Sequence, residues 1–458
     1  MSEARVTGVK RGLPKLIGPG LLVAATGVGA GDLATGALAG ARLGPAVLWA
    51  VLVGAAIKYL LNEGLARWQL ATDMTVLEGT RRHLGRVPVL IFFVFLCFWS
   101  FFVGAALMSA CGIAAAALVP LTGDLVRDKQ IYGIVHSGLA VLLVFQGGFR
   151  LFEKAMRLCI GVMFLTVLFA AIAVRPDWGA VVSGLLWPAI PDLNTEGLRW
   201  TVGLIGGVGG TVTVLCYGYW IREENRTGLE ELRTCRIDLL TGYCVTAVFG
   251  LCMVILGSRI TVSSGGGNAT LIVSLGESLK AAIGNAAGRP VQIAFLLGAW
   301  GAIASSMLGV WQSVPYLFVD CLQLLRQVGS PEKKQNSSVR PEQQPIYRQS
   351  LIAIATVPAV GLFQKFDLVQ LAYAVVGAAF LPLLAAVLLL LNSRVRTIGT
   401  AARNSQVTTT LLILVLVFFA WAGFYDIRER IRKTTEPKKV SAVPVSCFPQ
   451  SKTSTGVS

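Results

Sequence analysis

Eleven stretches of this 458-residue chain are apolar over close to the ~20 residues that a helix needs to cross a hydrocarbon core. They run near 15–37, 45–69, 87–118, 132–149, 152–174, 199–220, 236–258, 290–322, 347–363, 367–391 and 407–424. A segment in lipid must close its own backbone hydrogen bonds, so each block is expected to be a helix. The chain therefore reads as all-α and polytopic, a multi-pass integral membrane protein whose surroundings are the lipid bilayer. A β-barrel would show shorter, alternating segments. With 54% hydrophobic and only 14% charged residues, a soluble enzyme, a secreted disulfide scaffold and a disordered chain are excluded.

The net charge is +16, from 40 Lys+Arg against 24 Asp+Glu. The basic residues form short clusters between spans, which is an orientation signal and not a nucleic-acid surface. With the N-terminus cytoplasmic, inward loops carry 22 Lys/Arg and outward loops nine. Eleven spans then put the basic tail outside, so either the eleventh segment does not cross or the tail is an exception to the rule, and the exception is the reading taken. The basic start, Met1–Lys15, leads into a retained first span without a cleavage pattern, so no signal peptide is expected. The expected location is the plasma (inner) membrane. Cysteines such as Cys97, Cys111, Cys159, Cys216, Cys244 and Cys252 lie in apolar segments without paired spacing and read as free thiols.

Between spans, 175–198 is expected to be an ordered surface connection, 268–285 a surface amphipathic helix, and 326–346 a flexible loop. The domain organisation expected is one transmembrane unit over 1–424. It holds a first repeat of about 15–174, a second of about 199–391 and an extra helix at 407–424. A polar, disordered tail covers 425–458.

Two spans are interrupted by glycine at matching places. The first carries Gly27-Val28-Gly29-Ala30-Gly31-Asp32; the sixth carries Gly206-Gly207-Val208-Gly209-Gly210-Thr211. Five spans separate them, the spacing of two inverted five-helix repeats. Broken helices at corresponding positions point to a binding site near the midplane. Asp32 is the single acidic residue from Leu16 to Ile57, and an ionisable group at that depth points to function. In the second span, Glu63 and Arg67 are four apart and can pair, with Lys58 above them.

With these residues in order, the chain resembles the Nramp (natural resistance-associated macrophage protein) family of divalent-metal transporters, which has a LeuT-type fold. Gly18-Pro19-Gly20-Leu21-Leu22-Val23-Ala24 looks like the family's first-span opening, and Ala39-Gly40-Ala41-Arg42-Leu43-Gly44 like its continuation. Arg67, Ala71-Thr72 and Glu78 follow at family spacing. Gly148-Phe149-Arg150 with Glu153, Pro176-Asp177-Trp178-Gly179, Arg236-Ile237-Asp238 and Ser305-Ser306 continue the match. The resemblance implies an all-α fold of five plus five inverted helices with an eleventh. It also implies a secondary transporter, not an enzyme, moving Mn²⁺ or Fe²⁺ by alternating access.

The family's ligands do not carry over intact. Its first-span motif, Asp-Pro-Gly-Asn, aligns with Gly29, Ala30, Gly31 and Asp32, so the metal-binding Asp is Gly29 here. Its sixth-span carbonyl, Met, Pro and His align with Gly207, Gly210, Thr211 and Val212. The thioether that favours transition metals is lost. The third span, Pro88–Pro120, has no charged residue, where the family has an acid. Phe380 stands where the family often has a Gln. His136 is the buried imidazole candidate and reads as structural.

The candidate substrate or ion site is therefore Asp32, Gly29, Gly207, Gly210, Thr211 and Tyr217, with Asp32 as the remaining charged metal ligand. Ala302, Ser305 and Ser306 form a candidate sodium site facing Val23–Thr26. The expected function is Nramp-like transport with altered ion selectivity. No resident cofactor is expected, and the coupling ion is H⁺ or Na⁺. Two alternatives stay open. One is a small organic solute transporter, with Tyr217, Tyr219 and Trp220 walling its cavity. The other is a membrane sensor or scaffold that has lost transport.

Overall fold

In the computed structural model, which describes residues 18–191, 195–259, 271–284, 288–327 and 343–435, the first apolar block is not one helix. It forms two half-helices, α1 (Pro19–Gly27) and α2 (Gly36–Leu43), joined by a π-helical turn over Val28–Thr35. Pro19 starts α1, where the missing N–H has no intrahelical partner to lose. Inside the turn Gly29 leaves helical geometry, with ψ −122°.

The second and third spans are α3 (Leu48–Thr72) and α5 (Arg86–Leu118). Between them α4 (Val76–His83) begins with a capping box. Thr75 Oγ1 accepts from the Glu78 N–H, and the Glu78 carboxylate accepts from the Thr75 N–H. The expected fourth and fifth spans appear as one helical stretch, α6 (Leu125–Ala173), of 49 residues. Straight, it would reach ~74 Å, over twice the hydrocarbon thickness. It is not straight. His136 accepts from Trp300 Nε1 at 2.9 Å, while Thr166 and Met163 lie against Gly298, two residues away. Both halves thus flank one stretch of α12 (Gly288–Arg326), and the chain doubles back between them, as two spans do.

Asp177 then caps the short α7 (Trp178–Leu186), the ordered connection expected there. The sixth span is broken: α8 (Thr195–Gly207), an irregular turn, a 3₁₀ turn over Val212–Cys216, and α9 (Tyr217–Glu223). The seventh is α10 (Leu232–Gly257). The expected surface helix is present as α11 (Leu271–Ile283), followed by α12. Next come α13 (Pro345–Thr356) and α14 (Phe366–Asn392). The last helix, α15 (Gln406–Thr435), runs past the expected end at 424. Residues 425–435 are therefore helical instead of a disordered tail, because Ile427-Arg428-Glu429-Arg430-Ile431-Arg432-Lys433 has mostly good helix formers. The rest of that tail, most of the 326–346 loop and the basic start lie outside the described residues.

Among the described residues, eight helices are long and apolar enough to cross a membrane, or nine if the sharply bent pair 161–173 and 178–186 is one span. They pack as two groups. In one, α10 lies on α1, α2 and α3, and α3 on α8; in the other, α5, α6 and α12 lie on one another. Glycines let the first group close up. A Cβ on Gly242 would strike the backbone of Gly20, one on Gly20 that of Asp238, and one on Gly40 that of Val254.

Candidate functional site

The two helix breaks meet inside the molecule. A Cβ on Gly27 would run into the backbone of Gly209 and Gly210, so only glycine fits there. Gly209 and Gly210 have φ +78° and +81°, the left-handed region that glycine adopts without steric penalty. The sixth-span glycines thus serve two purposes. They turn the chain, and they admit the first span.

Asp32 comes off the π-helical turn and is fully buried. Its carboxylate accepts the Gly209 N–H, at 2.9 Å to Oδ1 and 3.2 Å to Oδ2. From the second span, the buried ammonium of Lys58 donates to the Gly206 carbonyl at 2.7 Å and to the Val208 carbonyl. The Val208 carbonyl and the Gly209 N–H belong to one peptide unit. In a trans peptide these point in opposite directions. The 208–209 peptide is therefore held between an anion from the first span and a cation from the second. Its dipole is aligned with both. Lys58 also sits at the C-terminal end of α8, where the last carbonyls lack intrahelical partners and favour a cation.

Gly29 lies against the Ser306 side chain and Leu107, so a Cβ there would collide with Ser306. The space beside Gly29 is thus filled by the eighth span. Ser306 Oγ donates to the Thr26 carbonyl, so it faces the region expected for a sodium site, but through a direct hydrogen bond. Ser305 Oγ donates back to Ala302 O at 2.8 Å within its own helix. Gly207 ends α8, and Gly210 packs on Thr213 and Gly27. Thr211 Oγ1 accepts from Trp99 Nε1 at 2.8 Å and lies against Gly377.

Tyr217 is elsewhere. Its hydroxyl donates to Asp238 Oδ2 at 3.2 Å, in a cluster at the start of α1, because one turn of 3₁₀ helix carries it away from the break. Asp238 also accepts the N–H groups of Gly18 and Gly20 at 3.0 and 2.9 Å, and Arg226 Nη1 at 3.1 Å. Tyr219 donates to Asp320 at 2.6 Å and stacks on Tyr316; Trp220 donates to Gln312. The aromatic trio anchors α9 and does not wall a chamber between the breaks. Arg67 and Arg236 both pair with Glu63, at 3.1 and 2.7 Å, so the expected i,i+4 pair is present. His136 is held by Trp300 and the Tyr132 carbonyl, as a structural imidazole would be. Phe380 stacks on Phe95.

The site thus brings together Asp32, Gly29, Gly207, Gly210, Thr211 and Ser306. The residue that sequence reasoning names only beside Glu63 and Arg67, and leaves out of the site, is Lys58. Its signal was present: it is the one charged residue between Arg42 and Glu63. Among the described residues, no three His, Cys, Asp or Glu side chains converge as a metal cluster. Oxygen donors in the break are backbone carbonyls, hydroxyls and one carboxylate, a hard donor set.

A family model described as natural resistance-associated macrophage protein-like (Nramp) matches residues 20–427. The divalent metal cation transporter MntH of Verminephrobacter eiseniae (strain EF01-2) is 27% identical over 271 residues, 56% of this chain and 59% of that protein. Natural resistance-associated macrophage protein 2 of Mus musculus is 24% identical over 218 residues, 47% of this chain and 38% of that one. The chain thus spans less than two thirds of the length of these curated relatives. A mutant of the Eremococcus coleocola manganese transporter superposes with a TM-score of 0.72 at 18% identity, covering 96% of this chain and 91% of that one. MhsT in complex with L-phenylalanine superposes at 0.55 and 15% identity, covering 90% and 98%. These structures establish the expected fold, all-α with the LeuT-type five-plus-five arrangement.

Proposed function

The chain belongs to the Nramp family, and on that premise we propose that it is a secondary transporter, not an enzyme, that works by alternating access at the paired breaks. The observation that carries this is the contact of Asp32 with Gly209, which joins the first span to the sixth at the point where both are unwound. A site made from two broken helices changes its exposure when the bundle of α1, α2, α3, α8 and α10 rocks against α5, α6 and α12. The packing into those two groups supports such a motion.

The relatives' names support a divalent metal cation as the cargo, taken as substrate and not as a resident cofactor. Selectivity is altered, because Gly29 supplies no carboxylate and the Met position is Gly210. The cargo meets Asp32 and hard oxygens in place of a thioether. The coupling ion is H⁺ or Na⁺, and the direct bonds of Ser305 and Ser306 to carbonyls weigh against Na⁺. The N-terminus is cytoplasmic in the plasma (inner) membrane, as the loop charges suggest.

The test is Mn²⁺ uptake into vesicles reconstituted with the purified chain, read by a metal-sensitive dye in the lumen. Wild type should show saturable uptake. Asp32→Asn, which keeps an acceptor for Gly209, should lower it at least about tenfold, the worth of one charged ligand. Uptake unchanged in a monodisperse Asp32→Asn protein, or none in folded wild type, would remove the proposal.

A further inference from the structure

We propose that Lys58 is a resident cation of the transport site, competing with the cargo for the carbonyl oxygens of the sixth-span break and thereby setting its selectivity. This rests on the transporter assignment above and adds the residue that tunes it. Three observations lead to it. First, the ammonium donates to two carbonyls, Gly206 and Val208, that flank the break and that an incoming cation would otherwise use. Second, it stands on the opposite side of the same peptide from Asp32, so the buried carboxylate already has its counter-charge. Third, among the described residues, buried side-chain oxygens without a hydrogen-bond partner border the break. These are Asn62 Oδ1, one turn along α3 from Lys58, Thr246 Oγ1, whose methyl flanks Gly209, and Thr213 Oγ1 beside Gly210. Unpaired buried oxygens are costly in a dry site. With the two carbonyls on one side of the 208–209 peptide and Asp32 on the other, they surround the break with hard oxygen donors, which suit a hard cation.

A lysine is a suitable occupant of such a shell. Its charge is compact and has three donors, and its tether makes the local concentration high at no binding cost. A dication that takes these carbonyls must displace the ammonium, and one held by Asp32 on the other side of the peptide bears its repulsion nearby. The consequence is weak dication binding in the wild type and a gain on removal of the charge. Lys58→Met keeps length and apolar volume without charge. Lys58→Gln keeps donors for the carbonyls, and so guards against a variant that fails for want of hydrogen bonds.

The experiment titrates Mn²⁺ into the purified full-length wild type, Lys58→Met, Lys58→Gln and Asp32→Asn/Lys58→Met proteins, each first shown to be monodisperse. Both single variants should bind Mn²⁺ at least about tenfold more tightly than wild type, as expected for loss of one like charge within several ångströms. The double variant should lose the gain. Equal or weaker binding in both Lys58 variants overturns the proposal, as does a gain that survives Asp32→Asn. Vesicle uptake separates the two claims. Wild-type Mn²⁺ uptake with no affinity change in the Lys58 variants sinks the role of Lys58 alone. Tighter binding in the variants without uptake by any protein sinks transport and leaves the resident cation standing.

Discussion

Gly29 and Ser306 show how much one missing carbon decides. The hydroxymethyl of Ser306 occupies the space that a Cβ on Gly29 would need. The two positions are therefore coupled. Gly29→Ala should destabilise by about 1–3 kcal/mol, the usual cost of overpacking a dense interior. Adding Ser306→Gly should recover most of that cost in a double-mutant cycle read by thermal unfolding in detergent. Additive effects would mean that the two residues do not share the space. The same contact leaves no room for a longer side chain at 29. Asp32 was legible in the sequence, since a lone acid in an apolar run is conspicuous. Its engagement with the Gly209 N–H was not, because that partner is 177 residues away and belongs to the backbone. Lys58 was equally conspicuous but was grouped with Glu63 and Arg67, whose i,i+4 spacing drew attention to the wrong end of α3. Tyr217 follows the sixth-span break in sequence, but the 3₁₀ turn over Val212–Cys216 carries it to Asp238.

At the scale of elements, the blocks and their breaks were readable because lipid admits few alternatives to a helix. Ends were harder. The run to Thr435 in α15 is polar, and polarity says nothing against a helix that has left the membrane. What sequence could not supply was the anchoring of half-helices by distant side chains. Asp238 on α10 receives two N–H groups at the start of α1, which has no intrahelical partners for them. It is neutralised by Arg226, itself buried just after α9. One carboxylate therefore fastens the ends of both broken spans. Arg226→Met should cost about 3–5 kcal/mol, because it leaves a buried charge uncompensated. Arg226→Met/Asp238→Asn should recover part of the loss. A melting temperature unchanged in the single variant would show that Asp238 does not depend on Arg226.

Across the whole molecule, the clamp on the 208–209 peptide lies within one helix group, that of α1, α2, α3, α8 and α10, and its two charges sum to zero. That sum has an electrical consequence. An empty carrier must return through the membrane field, and a net elementary charge moved across it costs about 2.3 kcal/mol per 100 mV. A lone Asp32 would make the return step depend on the membrane potential. With Lys58 travelling beside it, the unloaded site moves no net charge. Voltage steps applied to cargo-free wild-type protein in a planar membrane should displace no charge, whereas Lys58→Met should give a transient current of up to one elementary charge per molecule. The cell's voltage would then act on the cargo's own charge and leave the empty carrier free to return at any potential.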